Sequence, residues 1–152
     1  MSMEEKLISL GLVLPPVPKA IASYIPANGT GNLVFTSGQL PMKDGQLLYV
    51  GKVGAEVSID QAKEAMTQAC LNALAAIKGY VGNLDRVVRI IKIGAFVASD
   101  NSFFEQHIVA NAASDLLTGI LGDNGKHARF AIGVNALPLN ACVELELTVE
   151  IQ

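Results

Sequence analysis

Residues 128–136, ARFAIGVNA, alternate apolar and polar or small side chains with period two, which predicts a half-buried β-strand. Phe130, Ile132, Val134 and Ala136 form its apolar row. Arg129, Ala131, Gly133 and Asn135 form the other, in which a single long cation stands among small residues. The chain's last stretch, 142–151, repeats the pattern. Val143, Leu145, Leu147, Val149 and Ile151 alternate with Glu144, Glu146, Thr148 and Glu150. Residues 86–98 carry apolar side chains in both phases, as expected of a strand covered on both faces. Residues 32–40 form a further strand that ends at Pro41. The KDG turn at 43–45 then leads into QLLYVGKV, so that 32–53 reads as a hairpin.

Two segments change to the helical period. Ser58 and Gln61 make a capping box, followed by Met66, Cys70, Ala73, Leu74, Ile77 and Val81 at three- and four-residue spacing to about Gly79. Ser102 and Glu105 make a second box. The helix after it runs to about Leu121, with Ile108, Ala112, Leu116 and Ile120 along one side. Residues 3–12 fit a short amphipathic helix, stopped by Gly11 and the LPPVP run. Residues 1–19 read as an N-terminal arm and 13–31 as loop. The order β-β-α-β-α-β-β over one domain, 1–152, predicts an α+β fold with a mixed sheet and both helices on one face. The opposite face is then left to solvent or to another subunit, and the doubly apolar strands favour a subunit.

Composition sharpens that expectation. The chain of 152 residues is 51% hydrophobic and only 16% charged, against about 25% charged in an average soluble domain. Its net charge is −3, and no run of lysines or arginines stands out. This lowers nucleic-acid binding among the possible functions. No apolar run reaches the roughly 18–20 residues of a membrane span, and the acidic start MSMEEKL is unlike a secretory signal. These features together place the expected protein in the cytoplasm. Cys70 and Cys142 stand in apolar surroundings without metal-ligand spacing and read as buried free thiols.

Few residues offer chemistry. Were the last two strands antiparallel neighbours, Arg129 and Glu144 would share the non-helix face, one suited to binding a carboxylate and one to binding a water or proton. A solvated face with cross-strand charge pairs fits the same pattern. His107 and His127 share no metal-like spacing and read as structural or solvated. Ser37 is not in a nucleophile elbow, and Tyr24 fits a packed arm residue.

Taken together, GNLVFTSGQLP (31–41), the strand 86–98, the pattern AR-x-x-x-x-V-x-x-LP (128–138) and VELEL (143–147) resemble the RidA/YjgF family of reactive imine and enamine deaminases, often labelled endoribonuclease L-PSP. The likeness spans about residues 20–151. The N-terminal segment 1–19 and the stretch NAASDLLTGILGDNGKHAR are similar to a longer branch of that family. The resemblance implies a chorismate-mutase-like fold and a homotrimer whose sheets meet in a central barrel, with a cleft at each interface. It implies hydrolysis of 2-enamino or 2-imino acids to 2-keto acids and ammonia, with no metal or organic cofactor. Arg129 matches the family's substrate-carboxylate arginine and Glu144 the acid that holds the attacking water. Tyr24 and Ser37 match residues lining the cleft. Asn111 matches a helix asparagine, one residue out of spacing. Ser23 stands where the family often has proline, and Ala131 where many members have cysteine. A cleft that binds a small carboxylate without turnover is the alternative function, and an endoribonuclease is disfavoured by the missing basic stripe.

Overall fold

In chain order the computed structural model, which describes residues 1–19 and 22–152, begins with α1 (Met3–Ser9), closed by a Ser2–Glu5 capping box. Then come β1 (Ala27–Thr30), β2 (Leu33–Thr36) and a small pair, β3 (Met42–Lys43) and β4 (Gln46–Leu47). The rest is α2 (Ile59–Val81), β5 (Val87–Ala98), α3 (Gln106–Leu121), β6 (Ala128–Val134) and β7 (Val143–Ile151). Five strands form the main sheet in the order β1-β2-β7-β5-β6. All neighbours are antiparallel except β5 and β6, which run parallel and are joined by α3.

α2 starts where the Ser58–Gln61 box predicts and ends at Gly82, whose φ of 86° is open to glycine at little cost. Ala65, Met66, Ala69, Cys70, Ala73, Leu74 and Ile77 are buried along it. They meet Val34, Ile93, Leu145, Leu147 and Val149 of the sheet within one core. Each large side chain there contributes about 1.5–3 kcal/mol by leaving water. The alanines let α2 and α3 lie close together on the same face. Two polar residues of α2 are buried as well. Asn72 donates from Nδ2 to the carbonyls of Leu40 and Met42, both at 2.9 Å, and accepts from Gln68 Nε2 at 3.0 Å. This fastens the chain after Pro41 to the helix. No helix among the described residues is long and apolar enough to cross a membrane.

Several expectations change. The strand over 32–40 does not pair with 46–53. It pairs with β1, which lies inside the expected 13–31 loop, through a Gly31–Asn32 turn with φ of 57° at Gly31. The KDG turn makes only the two-residue β3–β4 pair. The second capping box does not form. Ser102 Oγ donates to Asp100 Oδ2 at 2.7 Å, and the N-cap of α3 is Glu105, which makes no side-chain cap bond. The buried side of α3 is Val109, Ala110, Ala113, Leu116, Leu117 and Ile120, so Ile108 and Ala112 lie at its margin. β5 is buried on one face within this chain. Its other face, with Lys92 and Phe96, is only partly covered.

Candidate active site

β6 and β7 are not neighbours, because β5 lies between them. Registers then decide which way each candidate points. Arg129 is level with Ile93, which is fully buried under the helices, so Arg129 is on the helix face. Glu144 is level with Phe96, one step out of phase with the buried Ala95 and Val97, so it is on the open face. The two residues that the sequence placed on one face therefore occupy opposite faces. Phe130 and Ile132 are also on the open face, where Phe130 meets Phe96 edge-to-face at 5.2 Å between centroids and Ile132 is 46% exposed. The space beside Gly133 is taken by Gln106, whose Nε2 would lie 2.8 Å from an added Cβ, and Ala131 packs on the core. Neither leaves the room for a ligand that their size suggests.

On the open face, β2 and β7 lose register beside Glu144. Phe35 pairs with Thr148 and Gln39 bridges to Leu145, so four steps along one chain match three along the other. This is a β-bulge in the TSGQ segment, a device that re-aims side chains next to sites. The Glu144 carboxylate lies over Gly38, where an added Cβ would stand 2.9 Å from its Cδ. Burial raises the Glu144 carboxyl above the usual carboxylate range, and the nearby Glu146 adds to the effect. Ser37 donates from Oγ to the Ile25 carbonyl at 2.7 Å, and its amide donates to the Pro26 carbonyl at 2.8 Å. These bonds hold the turn that carries Tyr24 to the rim of a cavity of about 460 Å³, lined also by Pro15, Pro18, Gly38, Leu40 and Leu139. Tyr24, Ser37 and Glu144 thus gather on one flank of the chain.

Arg129 and Asn111 meet on the other flank. Arg129 Nη1 donates to Asn111 Oδ1 at 2.9 Å and to Ser114 Oγ at 3.1 Å. Both acceptors are neutral, and among the described residues no carboxylate pairs with Arg129. Among these residues its charge stays uncompensated and its remaining nitrogens have no partner. Ser114 was missed in the sequence, although Asn111 and Ser114 are three apart and so share a helix face. His127, read there as structural or solvated, touches Ser114 Oγ with Nε2 at 2.9 Å. His107 is exposed on α3 and joins neither flank.

A family model described as "YjgF/chorismate_mutase-like, putative endoribonuclease" matches residues 4–151. The chain belongs to the YjgF/chorismate-mutase-like family. Protein TCP17 of Trypanosoma cruzi is 37% identical over 143 residues, which is 93% of this chain and 89% of that protein. Among solved structures, protein Atu1372 of Agrobacterium tumefaciens, of unknown function, is 42% identical with a TM-score of 0.93, covering 99% of this chain and 92% of that one. The YjgF gene product of E. coli shares the fold at 21% identity and a TM-score of 0.65, over 91% and 94% of the two chains. This YjgF-family chain therefore has the chorismate-mutase-like α+β fold. The matched region takes in α1 from its second residue on, and the 111–129 stretch that carries Asn111, Ser114 and Arg129.

Proposed function

We propose that this chain hydrolyses reactive 2-imino and 2-enamino acids to 2-keto acids and ammonia, in a cleft formed between two copies of itself. The observation that carries this reading is the Arg129 guanidinium, half-buried, held by Asn111 and Ser114, and, among the described residues, bonded through Nη1 alone. Such a fork suits bidentate binding of a carboxylate, with charge-assisted hydrogen bonds stronger than neutral ones. The matching carboxylate, Glu144, is on the opposite face of the same chain, so a second copy supplies it. The open sheet face supports this association. Phe35 and Ile132 are 44% and 46% exposed there, an apolar surface that a neighbouring subunit would cover. A closed ring of three copies, sheets inward, gives every Arg129 one Glu144 from its neighbour.

In this reading Arg129 fixes the substrate carboxylate and leaves C2 of the imine exposed. Glu144 holds a water against that carbon. Its raised affinity for protons suits it to accept the water's proton as the C–O bond forms. The proton passes to the substrate nitrogen, the C–N bond breaks, ammonia leaves, and the carbonyl forms. The substrate is intrinsically reactive, so orientation supplies much of the acceleration. Tyr24 and Ser37 shape the rim on the Glu144 side.

The test couples the protein to a threonine dehydratase that generates 2-iminobutanoate, with semicarbazide competing for the imine. Wild type should speed ammonia release. Arg129→Ala and Glu144→Gln should each abolish the effect, and refolding the two variants together should restore part of it. Full activity in a monomer by light scattering would refute the shared cleft. Tight 2-oxobutanoate binding by a well-folded protein that never accelerates hydrolysis would favour a carboxylate-binding module.

A further inference from the structure

Behind Arg129 lies a chain of hydrogen bonds with a definite direction. Gly125 and His127 sit in the turn between α3 and β6. The Gly125 carbonyl lies 2.6 Å from His127 Nδ1. A carbonyl only accepts, so Nδ1 carries a hydrogen. His127 Nε2 lies 2.9 Å from Ser114 Oγ, and Ser114 Oγ lies 3.1 Å from Arg129 Nη1, which only donates. A serine has one hydrogen to give and two lone pairs to accept with. With His127 neutral every contact is satisfied: Arg129 donates to Ser114, Ser114 to His127, and His127 to the Gly125 carbonyl. With His127 protonated, both cations would donate to the two lone pairs of one hydroxyl oxygen, and among these contacts the serine's own hydrogen would lose its acceptor.

The turn is built to make this contact. Gly125 is buried, and a Cβ there would stand 2.7 Å from the Leu117 carbonyl carbon and 2.8 Å from the Thr118 Cα. Only a residue without a side chain lets the turn lie this close to the end of α3, which brings His127 within reach of Ser114. Asn111, one turn earlier on the helix, takes the other bond of the same Arg129 nitrogen at 2.9 Å. Two neutral acceptors on one helix thus hold a single nitrogen and leave the outer edge of the fork open.

We propose that Ser114 and His127 are positioning residues for Arg129: a neutral, Nδ1-protonated His127 orients the Ser114 hydroxyl so that its lone pair fixes the guanidinium. This rests on Arg129 being the carboxylate anchor. The relay touches no substrate atom and acts on binding through the angle of the fork.

The first test is on the wild-type protein. Long-range ¹⁵N–¹H correlation of the imidazoles, with His127→Gln identifying the His127 signals, should show a pyrrole-type Nδ1 and a pyridine-type Nε2 at neutral pH. A free histidine side chain favours the opposite tautomer. The second test is kinetic. Ser114→Ala should raise KM for the imine by about 3- to 10-fold, the worth of one neutral hydrogen bond. Its kcat should stay within about twofold, as for lost binding common to ground and transition states. Ser114→Thr, which keeps the hydroxyl, should return KM to within about twofold of wild type. An Nε2-protonated or doubly protonated His127, or a Ser114→Ala enzyme with unchanged KM, would overturn the relay. The relay and the deaminase reading fail separately. Wild-type turnover that Ser114→Ala leaves untouched ends the relay alone. A wild type without turnover, whose calorimetric affinity for 2-oxobutanoate drops 3- to 10-fold in Ser114→Ala, ends the deaminase reading alone.

Discussion

Gly38→Ala displaces Glu144 without removing it. The φ of Gly38 lies outside the left-handed region, so alanine meets no backbone penalty there. The obstacle is the Glu144 side chain. The new Cβ would stand 2.9 Å from Cδ and 3.2 Å from Cγ, with Oε1 closer still, whereas ordinary contacts fall at 3.4–4 Å. The carboxylate must retreat by roughly 1 Å, which a flexible side chain on a half-covered face does cheaply. The stability cost is therefore small, about 1 kcal/mol or less in urea unfolding. The catalytic cost is not small. A water held by Glu144 moves with it, and a misplacement of about 1 Å costs on the order of 100-fold in rate, or about 2.7 kcal/mol in the barrier. The assay is kcat/KM for 2-iminobutanoate beside a thermal melt of the same preparation. A Gly38→Ala protein that melts like wild type and keeps its kcat/KM within twofold would refute Glu144 as the residue that places the water. A large fall in melting temperature would instead show that the bulge at Ser37–Gly38 bears on the fold.

Other outcomes follow from single groups. Arg129→Lys keeps the charge but loses the fork, and should lower kcat/KM by about 10- to 100-fold, the range for one charge-assisted hydrogen bond, in steady-state assays on a preparation of unchanged size. Burial and Glu146 raise the Glu144 carboxyl, so between its unfolded and folded values the folded state holds more protons, and stability falls as pH rises through that window. Glu144→Gln should therefore melt higher than wild type at neutral pH, and the gap should close as pH falls below about 4. Ser58→Ala should cost about 1 kcal/mol in urea unfolding, because Ser58 Oγ accepts from the Gln61 amide at 3.1 Å. Ser102→Ala should cost within about 0.5 kcal/mol, since its hydroxyl bonds Asp100 and not the start of α3.

The helices and the long strands were legible because each is set by local chemistry. The Ser58–Gln61 box and the 3.6-residue spacing mark α2, and the double apolar phase marks β5. The capping pattern at Ser102 failed because Asp100, two residues away, offers that hydroxyl a nearer acceptor. The β1–β2 hairpin was overlooked although Gly31–Asn32 is a two-residue turn signal, because ANGT contains no strongly strand-forming residue except Thr30.

The candidate residues could be picked out of the sequence but their arrangement could not, and β6 shows why. Alternation tells which side chains share a face, not what lies behind that face. Phe130, Ile132 and Val134 form the more apolar row, so taking that row as the buried one puts Arg129 outside. In the structure the row of Arg129, Ala131 and Gly133 turns toward α3, and the apolar row turns to the open face. Both choices satisfy the period of two. The parallel pairing with β5 decides between them, since it fixes Arg129 level with Ile93. An apolar row left uncovered at a sheet's edge then becomes information about assembly. The same half-step that moves Arg129 under the helices also separates it from Glu144. One chain therefore holds Arg129 and Glu144 on opposite faces, and in the proposed reading a second copy, docked on the apolar face, brings the two together.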